Sequence, residues 1–232
     1  MEQPNPNLIY WIIFIGAAVL SWIISGSLKS KFKEYSKIPT NGGLTGRDVA
    51  ERMLHDNDIY DVQVVSIEGS LTDHYNPQTK IVNLSKDVYF GNSVAAAAVA
   101  AHECGHAVQH THAYSWLMMR SKLVPVVSFA SHWVMWVLLA GMLLIKAFPS
   151  LMLFGIILFA LTTLFSFITL PVEINASQRA LAWLNSHDIT TRETHTKAQH
   201  ALRLAAYTYV IAALSSLATL MYYIMIYMGR RE

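Results

Sequence analysis

Four apolar stretches, each long enough to cross a bilayer, divide the chain. A spanning helix needs about 20 apolar residues. The first stretch runs from Leu8 to Leu28 without a charge. The second runs from about Leu123 to Ile145, interrupted only by His132. The third, Leu151 to Val172, is again uncharged. The fourth, about Ala205 to Met228, is rich in alanine, tyrosine and methionine. The first does not read as a cleavable signal peptide: its apolar run is too long, no basic residue precedes it and no small-residue cleavage site follows. It reads as an anchor.

Between the first two stretches the pattern shortens and mixes. "SKIPTNGG" (36–43) reads as a linker, because Pro39, Gly42 and Gly43 break any helix leaving the first span. Thr45 then looks like an N-cap with Asp48 in the capping-box position, and Val49, Met53 and Leu54 carry helical spacing to about residue 57. "VQVVSI" (62–67) predicts a strand, Asn76-Pro77 a turn, and Lys80 to Leu84 a further strand. This α+β patch is too small for a large core of its own and is expected to pack on the next helix. That helix begins near Ser93 and runs through "VAAAAVAAHECGHAVQH", where alanine, the best helix former, also lets neighbouring backbones approach closely.

The pattern predicts a mainly α, multi-pass membrane protein of about four spans, with a small α+β cytoplasmic subdomain ahead of the histidine-bearing helix. Its expected parts are the anchor (1–28), the linker and α+β subdomain (29–92), the motif helix and entry to the membrane (93–122), a transmembrane hairpin (123–172), a cytoplasmic helix (173–204) and a C-terminal apolar helix with a basic tail (205–232).

Composition agrees. The chain is 53% hydrophobic and 14% charged, against about 25% charged in soluble domains, and its mean hydropathy is +0.34. The net charge of +2 is too small to suggest a nucleic-acid partner. A single cysteine, Cys104, excludes an internal disulfide and fits a reducing compartment. Basic residues set the orientation. None precedes the first span, whereas Lys29, Lys31, Lys33 and Lys37 follow it. With the first loop inside, 14 of the 17 lysines and arginines lie inside, and Lys146, Arg230 and Arg231 outside. The last two run against the rule.

The chemistry concentrates in "AHECGHAVQH" (101–110). On a helix, His102 and His106 share one face and can grip one ion. Neutral imidazole suits zinc. Glu103, displaced around the helix, can take a proton from water that the metal acidifies. This is the H-E-x-x-H arrangement of zinc metallopeptidases. With ten histidines and eight glutamates in 232 residues, chance would produce it in roughly one such chain in 70.

A catalytic zinc needs a third protein ligand and an open fourth position. Two candidates compete. His112 has the spacing of the pattern H-E-x-x-H-x-x-G-x-x-H, but Gln109 stands where that pattern needs glycine. Glu173, in "LPVEINASQRA", is the first carboxylate after Glu103. It leaves the hairpin at the face where the helix of His106 enters. An acid emerging from an apolar span is costly unless partnered; Arg179 is the bland partner and zinc the functional one.

"AHECGHAVQH" followed by "LPVEINASQRA" resembles the YugP-type family of bacterial membrane zinc metallopeptidases, across nearly the whole chain. "GLTGRDVAERML" and "LTDHYNPQTKIVNLSKDVYFGNSVAAAAVAAHE" share in the resemblance. More distantly, the two motifs are similar to the gluzincin-like HtpX and CAAX-protease group, whose second motif is E-[YF]-x-A-D. The resemblance implies Zn2+ as cofactor, His102, His106 and Glu173 as its ligands and Glu103 as general base. It departs at Ser177, which stands where that group has aspartate; serine can still accept a bond from a ligand histidine, but more weakly.

Other residues are expected to support the site or to be structural. His110, Arg179, His187 and Tyr207 are candidate donors to an oxyanion, with His110 and Arg179 also placed, like Ser177, around the ligands. Asp73 and His74 read as turn residues. The strand at Ile81 to Leu84, if it is an exposed edge, could hold an extended peptide. His132 reads as a helix–helix hydrogen bonder. The expected activity is that of an integral membrane zinc endopeptidase in the bacterial plasma membrane. Its site would face the cytoplasm and cut membrane or unfolded proteins. The competing readings are a metal transporter or sensor, against which the spans hold no ionisable residue except His132, and a scaffold with a structural zinc, which four protein ligands would close.

Overall fold

The structure, a computed structural model, describes residues 6–229. Four of its helices are long and apolar enough to cross a membrane: α1 (Pro6–Tyr35), α5 (Ser115–Leu143), α6 (Pro149–Ser186) and α7 (Arg192–Gly229). A capped helix α2 (Gly46–Asp56), strands β1 (Gln63–Ile67), β2 (His74–Asn76) and β3 (Ile81–Ser85), a short α3 (Lys86–Tyr89) and α4 (Val94–Thr111) lie between the first two. The fold class read from the sequence is therefore the one observed. Arg230 and Arg231, which ran against the orientation rule, lie outside the described residues.

The chain divides into two compact units. One comprises Met1–Ile23, Met119–Leu170 and Thr208–Glu232. Here α5 and α6 turn back on each other and pack at glycine. A side chain on Gly141 would meet the Met152 backbone at 2.7 Å, and one on Gly155 would meet Leu138 at 2.9 Å. Leu138, Ile145, Met152 and Ile156 are buried in this seam. Thr163 of α6 and Ser216 of α7 share a hydrogen bond of 2.7 Å, the kind of polar tie that joins helices where no water competes. His132 is not such a tie. It is exposed, its ring beside neighbouring Trp133 at 5.5 Å, because the face of α5 that carries it looks outward.

The other unit comprises Ile24–Met118 and Pro171–Tyr207. Its core gathers Val49, Met53, Val82, Leu84 and Val88 against the alanine run of α4 and against Trp183, Leu184 and Leu202. The alanines are what allow this. Ala95, Ala96, Ala97, Ala98, Ala100 and Ala101 are all buried, so α4 runs through the middle of the unit with neighbours on every side. Its first turn is fixed by Ser93, whose hydroxyl accepts from Ala96 N–H, and by the linker, where Val94 N–H donates to Ile38 and Thr40 N–H to Asn92. The Thr45 capping box is formed in full: Thr45 Oγ1 accepts from Asp48 N–H, and Asp48 accepts from Thr45 N–H at 2.9 Å.

Three differences from the sequence reading bear on the site. First, His74 is part of a strand, β2, and the sheet order is β1-β3-β2, with β1 parallel and β2 antiparallel to β3. The strand at Ile81 is therefore central, not an edge. Val82 and Leu84 are buried, because strands pair with β3 on both sides and these two side chains face the core of the unit. Second, α4 and α5 are separate helices. α4 stops at Thr111, His112 caps it, Ala113 adopts a left-handed φ of 47°, and α5 starts anew at Ser115. Third, no break in the helix accompanies the division between Leu170 and Pro171: α6 runs on to Ser186.

Candidate metal centre

α4 and the later part of α6 bring three donors together. His102, His106 and Glu173 each offer one ligand atom, and these lie within 4.8 Å of one another. Glu173 Oε2 is 3.3 Å from His102 Nε2 and 3.5 Å from His106 Nε2. The imidazole rings stand at 82° with centroids 4.8 Å apart. A tetrahedral zinc with bonds of about 2.0–2.1 Å holds its ligands about 3.3 Å apart. The spacing of the carboxylate oxygen from both nitrogens thus fits zinc. His112, the competing third ligand, is occupied elsewhere: its Nδ1 lies 2.8 Å from the Val108 carbonyl. The chain does turn after Thr111, but the turn leaves His112 folded back on its own helix.

The rings are held from behind. Ser177 Oγ lies 3.1 Å from His102 Nδ1. Gln109 Oε1 lies 3.0 Å from His106 Nδ1. With Nδ1–H donating in both cases, each Nε2 presents its lone pair to the centre. Gln109 is wholly buried, and its amide donates to the Val172 carbonyl at 2.8 Å and to Asn175 Oδ1 at 3.0 Å. Arg179 in turn donates to the same Asn175 oxygen at 2.8 Å. One side chain of α4 therefore binds a ligand histidine and two groups flanking Glu173 on α6. Burial by itself would lower the pKa of His106. The Glu173 hydrogen bond and charge, followed by Glu103 and Gln109, outweigh it and hold the imidazole above its ordinary value.

Helix approach makes the geometry possible. Gly105 sits between the two histidines, and a Cβ there would come within 2.6 Å of the Ala176 carbonyl oxygen. Ala176 is itself fully buried. Small residues at the crossing let α4 and α6 close until the imidazoles reach Glu173.

Glu103 is buried beside this cluster, and Tyr75 N–H, on β2, donates to its Oε2 at 3.1 Å. The Tyr75 phenol lies 2.9 Å from His110 Nδ1, and its pKa is pushed up to about 12, by burial first and then by Asp61. It stays protonated at neutral pH. Asp73 is not idle either: its carboxylate accepts from Ser85 N–H at 2.7 Å and ties the start of β2 to the end of β3. Of the other candidate donors, His187 stacks on Trp183 and lies 3.3 Å from Asp56, and Tyr207 is exposed. Gln109, Asn175 and Tyr75 escaped the sequence reading, because nothing in their spacing marks them.

Fold and site together define a multi-helix membrane protein with a two-histidine, one-carboxylate donor set on packed helices. The chain belongs to the family described as "Putative neutral zinc metallopeptidase", whose model matches residues 10–228. It is 42% identical over 225 residues to the "Putative membrane protease YugP" of Bacillus subtilis (strain 168), covering 97% of this chain and 99% of that protein. No solved structure matches it.

Proposed function

We propose that the chain is an integral membrane zinc endopeptidase that cuts membrane or unfolded proteins near the cytoplasmic face. The observation that carries this reading is the meeting of His102, His106 and Glu173 at zinc-ligand spacing, with Glu103 beside them. Zinc bound there would acidify water and polarise the scissile carbonyl. Glu103 is the general base: Tyr75 N–H fixes one of its oxygens, and the carboxylate takes the proton of the attacking water and passes it to the leaving amine. Ser177 and Gln109 hold the ligand rings in the tautomer that leaves Nε2 free. Among the described residues the cluster comprises three donors. That suits an open catalytic position and disfavours a scaffold site closed by four ligands.

Substrate is held in extended form along β2. This strand is an edge of the sheet, and it reaches Glu103 through Tyr75. His110, paired with the Tyr75 phenol, is the candidate among the four oxyanion donors whose partner touches the base. The cytoplasmic placement rests on Lys29, Lys31, Lys33 and Lys37 after the first span.

The test is Glu103→Gln. Zinc content of the purified protein stays at the wild-type level, while cleavage of an unfolded protein substrate falls at least 100-fold, the lower end of what a positioned acid–base group supplies. Undiminished cleavage ends the proposal. Transport of zinc into vesicles that is retained in Glu103→Gln would favour the transporter instead.

A further inference from the structure

A feature unrelated to the metal centre lies where α1 leaves its apolar stretch. A cavity of about 490 Å³ opens there, lined among others by Lys29, Phe32, Lys33, Leu71, Asp87 and Ser93. Lys29 and Lys33 are four residues apart and so share a helix face. Among the described residues neither forms an ion pair, whereas Lys31 pairs with Glu34, Lys80 with Asp61, Lys86 with Glu68 and Lys197 with Glu193. Two uncompensated cations therefore face one cavity. Phe32, half-buried, sits beside them, and Asp87, exposed in the first turn of α3, adds one negative charge. Leu71, in the loop from β1 to β2, is 48% exposed and held at a left-handed φ of 59°. Such a backbone conformation is uncommon for an aliphatic residue.

Depth along the helix says what such a cavity meets. The apolar run ends at Leu28, and Lys33 is five residues on, about 7 Å along the axis. The headgroup layer on each side of the hydrocarbon is about 5–7 Å thick. The two lysines thus span that layer. A free anion would satisfy the lysines but would leave Asp87, Phe32 and Leu71 unexplained.

We propose that this cavity binds the headgroup of a membrane phospholipid carrying both a phosphate and a primary ammonium. The phosphate lies between Lys29 and Lys33, and the ammonium donates to Asp87. The methylenes of the headgroup rest on Phe32 and Leu71. The site is separate from the metal centre and does not depend on the peptidase reading.

The experiment uses the full-length protein, delipidated in detergent and titrated with short-chain phosphatidylethanolamine by native mass spectrometry. One lipid binds per chain, ahead of phosphatidylcholine, whose quaternary ammonium has no N–H to donate. Lys29→Gln/Lys33→Gln weakens binding about 25-fold, at about fivefold per lysine, whereas Lys31→Gln/Lys37→Gln, with the same loss of charge, leaves it within twofold. Asp87→Asn removes the preference for ethanolamine over choline. Equal loss in the two lysine pairs reduces the effect to general surface charge and overturns the proposal. So does equal binding of the two lipids to the wild type. Inorganic phosphate displacing the lipid at matching concentrations would assign the cavity to free phosphate and overturn the lipid.

Discussion

Gly105 of α4 faces Ala176 of α6 so closely that a Cβ on the glycine would lie 2.6 Å from the alanine's carbonyl oxygen. Two effects oppose each other at this position. Glycine inside a helix costs about 1 kcal/mol against alanine, so helix propensity alone says that Gly105→Ala should stabilise. The obstructing atom is backbone, however, and cannot rotate away. Overpacking of this kind costs about 1–3 kcal/mol. The clash wins, and it pushes α4 off the helix that carries Glu173. Gly105→Ala is expected to lower the melting temperature and to strip zinc together. An alanine variant with wild-type zinc content and higher melting temperature would show that the approach is not needed.

Cys104 lies next to Glu103 and could be mistaken for a reactive thiol. It is fully buried, and burial, with Glu103 adding its charge, raises the thiol pKa far above its ordinary value. A thiolate is the reactive form, so this cysteine is inert in the folded chain. Ellman's reagent should leave the native protein unlabelled over hours and should titrate one thiol in denaturant. Fast labelling of native protein would mean that α4 opens.

The Thr45 capping box gives stability a defined pH dependence. Hydrogen bonds from the Thr45 side chain and then its backbone hold the Asp48 carboxyl below its ordinary value. Its folded pKa is thus lower than its unfolded one of about 3.9. A depressed carboxylate stabilises fully above the unfolded pKa and loses that contribution as pH falls through the folded one. The stability gap between wild type and Asp48→Asn should be constant from pH 7 down to about 5 and should shrink as the pH falls further, through the lowered folded pKa. A gap that widens on acidification contradicts the capping geometry.

The sequence carries the metal centre further than it carries the sheet. His102 and His106 declare themselves by helical spacing, and Glu173 by being an acid at the end of an apolar run. Both signals are local. β2 is three residues long, too short for any periodicity, and its strand state depends on pairing with β3. The break after Thr111 hangs on Ala113 in a left-handed conformation, with neither glycine nor asparagine to announce it. In the pattern H-E-x-x-H-x-x-G-x-x-H, Gln109 stands at the glycine position and so reads as a defect. Its amide is instead spent on groups 63 and 66 residues away, which no local pattern can show.

Gln109 is therefore where the arrangement is most open to challenge. Its oxygen accepts from His106 and its nitrogen serves Val172 and Asn175. Asn175 cannot flip to compensate, because its oxygen also receives Arg179. Gln109→Leu leaves His106 Nδ1–H without its acceptor in a buried place, at about 1–3 kcal/mol, while the Val172 carbonyl keeps its own helix bond. Gln109→Glu restores an acceptor for His106 but sets a carboxylate oxygen against two other oxygens. If Gln109 only filled space, the isosteric Glu variant would behave like wild type and Leu would cost little. If it orients His106, both variants lose zinc affinity by about 10- to 100-fold. Cobalt substitution separates the two effects, since a rotated imidazole changes the visible ligand-field spectrum while a simple loss of stability does not. Wild-type zinc affinity, by chelator competition, in Gln109→Leu would show that the ring of His106 is positioned by something other than this amide.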